Sequence, residues 1–241
     1  MKKPLISFQN PFIVAPPMLE IILVRHGQTD WNRDRRVMGA RPIPLNTQGK
    51  REITQMAQLL SDVEFEIIYT SPLMRAFQTS RILSRGRSVK VEKVPEIQEI
   101  DYGEWVGRTF EDISKEKMFK TYYASPKEAQ APGGEKMTEV IKRGVSFIET
   151  LKKKHKDGRV VVVSHADVIK SILIHYMDLD LNDLHKFRVD NGSVSLLFFD
   201  GESTRVLSIN CPVTVGKVFE VTDENHKHLK AKKNNFFTLI Q

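Results

Sequence analysis

The chain reads as an α/β protein of three layers, with helices on both faces of a mostly parallel sheet and an antiparallel strand at one edge. Two continuous apolar runs, Leu19-Glu20-Ile21-Ile22-Leu23-Val24 and Val160-Val161-Val162-Val163, have the texture of strands buried on both faces. Segments with helical periodicity follow each of them, in the alternation a βαβ protein requires. With 241 residues, 40% of them apolar, the chain is long enough for one large α/β domain.

The elements follow in order. After the strand near 19–25, Asn46-Thr47 opens a helical stretch through Met56, Leu59 and Leu60. Phe65 to Tyr69 reads as a second strand, and Ser71-Pro72 as the start of a helix with proline in its favoured first turn. Val89 to Val94 is a shorter third strand. Residues 95–135 are different in texture, with Gly103, Gly107, Pro126, Pro132 and Gly133-Gly134 between short helical pieces. This stretch is expected as a lid insertion over the carboxyl edge of the sheet. A long amphipathic helix from about Lys136 to Lys156 precedes the Val160–Val163 strand, and a helix from Ala166 to Met177 follows it. Val194 to Phe199, a turn at Asp200-Gly201, and Thr204 to Ile209 form an antiparallel end. The expected organisation is an N-terminal extension over 1–18, one domain over 19–212, and a tail over 213–241.

Composition narrows the function classes. A single cysteine, Cys211, rules out an intramolecular disulfide and suits a reducing, cytoplasmic compartment. A mean hydropathy of −0.33 is ordinary for a soluble protein, and no apolar run reaches membrane-spanning length. Pro4, Asn10, Pro11, Pro16 and Pro17 interrupt the first residues, against a signal peptide. The net charge of +7 raises nucleic acid as a partner, but the basic residues are scattered. Their tightest run, Lys152-Lys153-Lys154-His155-Lys156, ends a helix, where cations oppose the dipole. Neither nucleic acid nor membrane is therefore expected as a partner. His226 and His228 have metal-like spacing without further ligands around them, so no metal and no cofactor are expected.

Three predicted parallel strands end in functional groups, at the sheet edge where α/β proteins bind ligands. The first ends in Arg25-His26, the second leads through Thr70-Ser71 to Arg75, and the third ends in Ser164-His165. If those strands are neighbours, two arginines and two histidines converge. Guanidinium forks suit phosphoryl oxygens, and the helix beginning at Ala166 adds backbone N–H groups. A neutral imidazole among cations can attack phosphorus. His26 is the better nucleophile, because neighbouring Arg25 disfavours its protonation, and His165 the better donor to the phosphoryl group. The leaving alkoxide needs a proton from a carboxylic acid. Glu99 is the candidate, with Asp101 and Glu104 as rivals in the same loop.

These blocks resemble the histidine phosphatase superfamily, which includes phosphoglycerate mutase-like proteins. Arg25-His26-Gly27-Gln28-Thr29-Asp30-Trp31-Asn32, Ser71 to Thr79, Glu99 with Tyr102-Gly103-Glu104-Trp105 and Gly107-Arg108-Thr109, Gly133-Gly134-Glu135, and Val163-Ser164-His165 occur in the family's order over about 19–210. The resemblance implies a phosphoglycerate mutase-like fold and a phosphohistidine intermediate on His26. It implies that Arg25, Arg75 and His165 hold the phosphoryl group, Asn32 contacts it, and Glu99 gives and takes a proton, without metal. Ala166 stands where the family usually has glycine, and its methyl narrows the pocket while its N–H remains. Asp167 beside it either faces away or reads a substrate hydroxyl or amine.

The family's mutases carry a longer, more basic lid with paired arginines. Phe110 to Gly134 has Lys115, Lys117, Lys120 and Lys127 and no arginine pair, which favours a phosphomonoesterase acting on a small phosphorylated metabolite. Mutase-type transfer and a non-catalytic phospho-ligand module are the alternatives, and a homodimer is left open.

Overall fold

The computed structural model describes residues 18–201 and 203–212, so the expectations for 1–17 and 213–241, His226 and His228 included, lie outside the described residues. Among the described residues six strands form one sheet: β1 (Leu19–Arg25), β2 (Ile67–Thr70), β3 (Lys90–Lys93), β4 (Gly158–Ser164), β5 (Ser193–Phe199) and β6 (Thr204–Pro212). Their order is β3-β2-β4-β1-β5-β6. The pairs β1–β4, β4–β2 and β2–β3 are parallel, while β5 runs against both β1 and β6. The antiparallel strand expected at the edge thus lies one place in from it. The hairpin after Asp200-Gly201 folds β6 outside β5, and the rim strand runs with the parallel set.

The helices are α1 (Asp30–Arg33), α2 (Thr47–Leu59), α3 (Met74–Leu83), α4 (Phe110–Ile113), α5 (Lys117–Ala124), α6 (Met137–Lys154) and α7 (Ala166–Tyr176). The strand period of two separates the layers. Val161 and Val163 point to a core shared with Ile53 and Met56 of α2, Leu60 just past its end, and Ala76, Ile82 and Leu83 of α3. Val160 and Val162 point the other way, to Val140, Ile148 and Leu151 of α6 and Ile169 and Ile172 of α7. The unbroken valine run is apolar because both of its faces are core. Among the described residues no helix is long and apolar enough to cross a membrane.

Local chemistry sets the ends of the elements. Asn46 caps α2 by accepting from the Gly49 N–H at 2.8 Å. The β2 strand begins later than the apolar run suggests, at Ile67, and β3 is confined to Lys90–Lys93. Pro72 does not open α3, which starts at Met74 after an extended Leu73. The Ser71 N–H continues the sheet ladder to Val163 O (2.9 Å), and its Oγ accepts from the Leu73 N–H (3.3 Å). The chain must turn between these two bonds before a helix can begin.

Residues 95–135, expected as a lid insertion, pack around Trp105. That indole is fully buried and donates to Glu116 Oε2 at 3.2 Å, with Phe119 and Tyr122 packed edge-on against it. The four lid lysines are exposed; Lys127 pairs with Asp180 (3.4 Å) and Lys115 with Glu111 (3.8 Å).

Candidate active site

Register brings the two histidines together. Arg25 lies opposite Ser164 across the β1–β4 pair, and the ladder runs one residue further through the His26 N–H to Ser164 O at 3.1 Å. His26 and His165 therefore leave adjacent strand ends side by side, with ring centroids 5.1 Å apart and planes at 59°. Because β2 flanks β4 on the other side, the chain after Thr70 delivers Arg75 to the same place. His26, Arg75 and His165 are all fully buried.

The protonation of each ring follows from its partners. His26 Nδ1 lies 2.8 Å from Gly27 O, which can only accept, so Nδ1 carries the proton. Nε2 then carries the lone pair, and Arg75 Nε donates to it at 3.2 Å. His165 Nε2 lies 2.8 Å from Ser71 Oγ, which already accepts from Leu73. With the one serine hydrogen given to Nε2, the imidazole proton lies on Nδ1. That Nδ1 is buried and has no partner among the described residues.

Burial is the first cause that holds both histidines well below their ordinary pKa. For His26 the charges of Arg75 and then Arg25 come next; for His165, Arg75, His26 and Arg25. The sequence-based expectation made Arg25 the principal influence on His26. Burial and Arg75 outrank it, because Arg75 contacts the reactive nitrogen directly.

Arg75 also donates to Gly39 O (2.9 Å) and Arg41 O (3.1 Å), so the loop after α1 fixes its fork. Burial lowers its pKa to about 10, and it stays cationic near neutrality. Arg25 donates to Val189 O at 2.7 Å, and its Nε has no partner among the described residues.

Glu99 is the buried member of the three acids proposed for the lid loop, while Asp101 and Glu104 are exposed. Its pKa is raised to about 7, first by burial and then by Asp167, against the pull of Arg75 and Arg25. Near neutrality it is therefore substantially protonated. Its loop is anchored at several points. Ser164 Oγ donates to Ile97 O at 2.8 Å. Arg143 of α6 donates to Glu96 O and Gln98 O, both at 2.6 Å, and pairs with Glu135 at 2.8 Å. The Glu135 N–H in turn donates to Asp101 O at 2.8 Å. Glycine is needed in this seam: a Cβ on Gly134 would lie 2.5 Å from Asp101 O. The Gly133-Gly134-Glu135 block thus clamps the acid-bearing loop.

Asn32 sits within a capping box, its Oδ1 accepting from the Thr29 N–H at 3.1 Å. Ala166 begins α7 directly after His165, whose side chain makes no cap bond. Sequence reasoning missed Asn191 and Arg143, and it named Ser71 as a strand-end group without its bond to His165. Asn191 donates to His26 O (3.1 Å) and Asn32 Oδ1 (3.2 Å), tying both to the loop before β5. The only signal for it was an Asn-Gly turn pair. His155 and His185 contact Tyr69 and Tyr123 respectively.

Comparison with known proteins gives the family and the fold. The sequence profile of the histidine phosphatase superfamily (branch 1) matches residues 21–212. Phosphoserine phosphatase 1 of Hydrogenobacter thermophilus is 30% identical over 204 residues, covering 84% of this chain and 97% of that protein. Bacillus stearothermophilus YhfR superposes with a TM-score of 0.74 at 28% identity, covering 78% of this chain and 95% of that one. A mutant phosphoserine phosphatase from Entamoeba histolytica, solved in complex with phosphoserine, gives 0.73 at 26% identity, covering 80% and 98%.

Proposed function

The chain belongs to the histidine phosphatase superfamily (branch 1) and is a histidine phosphatase; from that premise we propose that it hydrolyses small phosphomonoesters through a phosphohistidine on His26, with Glu99 as proton donor. The observation that carries this reading is the state of the His26 ring. Its proton is held on Nδ1 by Gly27 O, and its lone pair on Nε2 is directed into the arginine cluster.

The substrate phosphoryl group takes the place between Arg25, Arg75 and His165 Nδ1. The guanidinium groups and the first N–H groups of α7 neutralise its equatorial oxygens. His26 Nε2 attacks phosphorus, the P–O bond breaks, and the leaving oxygen takes the Glu99 proton. The Glu99 carboxylate then takes a proton from water as that water attacks phosphorus, and the P–N bond breaks to return the lone pair to His26 Nε2. Phosphate leaves, and both residues return to their starting states. Asn32 reaches the phosphoryl group with the amide nitrogen that its capping role leaves free. A phosphorylated amino acid or organic acid is the substrate class that the relatives' names support.

Release of phosphate from a chromogenic aryl phosphate tests the reading. Turnover should survive a chelator and be lost in His26→Ala. Turnover unaffected by that substitution overturns the mechanism. Exchange between 2- and 3-phosphoglycerate faster than hydrolysis would make the enzyme a mutase.

A further inference from the structure

Asp167 is the second residue of α7, two positions beyond His165, and its side chain is only 13% exposed. Acidic residues commonly occupy the first turn of a helix, where they face water and complement the dipole. Asp167 is instead turned inward and held. The Tyr102 hydroxyl donates to its Oδ2, and Lys170 Nζ lies 3.9 Å from Oδ1. Tyr102 belongs to the loop that carries Glu99, three residues earlier, so this bond joins the start of α7 to the acid-bearing loop. Burial keeps the Tyr102 proton in place, so the tyrosine acts as donor only.

The arrangement answers a conflict within the site. Arg25 and Arg75 must be cationic to hold a phosphoryl group, yet both favour ionisation of Glu99, which must be protonated to release the leaving group. The charged groups acting on Glu99 are Arg25 from β1, Arg75 from α3 and Asp167 from α7. Around Asp167 stand Tyr102, Lys170, Tyr122 of α5 and His185. Asp167 is the anion in this set.

We propose that Asp167, anchored by Tyr102, is a positioning residue whose fixed negative charge keeps the proton on Glu99 against Arg25 and Arg75. The proposal rests on Glu99 being the proton donor. The same charge acts in both half-reactions. It holds the proton until the leaving oxygen takes it, and it makes the resulting Glu99 carboxylate a stronger base toward the attacking water.

The test is the pH dependence of kcat/KM for an alkyl phosphate, whose leaving group needs a proton. Asp167→Asn keeps an acceptor for Tyr102 and removes only the charge. The alkaline limb should move to lower pH by about one unit, a roughly tenfold loss above the limb. Asp167→Glu should return the limb towards its wild-type position. Lys170→Met removes the neighbouring cation and should move the limb the other way, which gives an independent reading should the Asn variant fail to fold. Glu99→Gln separates the two levels of the argument. If it abolishes the limb while Asp167→Asn leaves the limb unmoved, the role of Asp167 is wrong and the proton donor stands. If the limb persists unchanged in Glu99→Gln, the proton-donor assignment itself fails.

Discussion

Replacing Gly49 by alanine should disable the site from a position that contributes no side chain to it. Gly49 lies in the first turn of α2, pressed against the backbone that follows His26. A Cβ there would lie 2.1 Å from Gln28 O and 2.5 Å from Gln28 N. Ordinary contact begins near 3.4 Å, so one side must give way by about 1.3 Å. The helix cannot retreat freely, because Ile53, Met56 and Leu60 anchor it in the core and the Asn46 N–H donates to Gln28 O at 3.0 Å. Nor can the facing backbone move without taking His26 along. A misplacement of about 1 Å near reacting groups costs on the order of 10²-fold in rate, and overpacking costs about 1–3 kcal/mol in stability. Steady-state kinetics with an aryl phosphate should therefore show kcat/KM down about 100-fold, with a lowered urea midpoint. Gly86→Ala is the control, since Gly86 has φ +71° but a methyl group added there would meet nothing within 4 Å. It should lose about 1 kcal/mol of stability and no activity. A Gly49→Ala enzyme within threefold of wild type would refute the argument.

Two further outcomes follow from the buried charges. Arg75→Met removes the donors to Gly39 O and Arg41 O, leaving carbonyls that cost about 1–3 kcal/mol each, partly offset by the loss of a buried cation. The thermal stabilisation that inorganic phosphate gives the wild type should vanish in this variant, and a retained shift would show that Arg75 does not hold the anion. Acid should destabilise the fold below about pH 6.5, because His26 and His165 are buried with lowered pKa values and take up protons only on unfolding. Glu99, raised to about 7, opposes this by holding one proton more in the folded state. Two histidine protons against one carboxyl proton leave a slope of about 1.4 kcal/mol per pH unit between pH 5 and 6. His165→Asn should flatten that slope to near zero, and an unchanged slope in urea titrations would contradict the assignment.

What was legible in the sequence was what a repeating pattern or a motif encodes. The valine run of β4 and the Arg25-His26 strand end read directly as buried parallel strands with groups at their carboxyl ends. Strand order was not legible, and it is order that places β4 between β1 and β2 and so unites His26, His165 and Arg75. The position of Pro72 was misread because propensity alone favours a helix start, whereas the bonds made by Ser71 require a turn first. Burial distinguished Glu99 from Asp101 and Glu104, and burial of single acids within one loop leaves no periodic trace. Arg143 and Asn191 act on backbone carbonyls far away in sequence, and such contacts follow no local rule.

The strand order also dictates when in its synthesis the protein can become competent. The central pairing joins residues 19–25 to 158–164, and β1 gains its other neighbour only when 194–199 arrive. A nascent chain that has emerged as far as α3 carries His26 and both arginines, Arg25 and Arg75, but lacks the strand that sets them side by side. Long-range pairings of this kind close slowly, since loop-closure entropy must be met before any contact rewards it. The phosphate cradle should therefore form last and all at once, which makes anion binding a reporter of completed folding and leaves N-terminal fragments without partial activity.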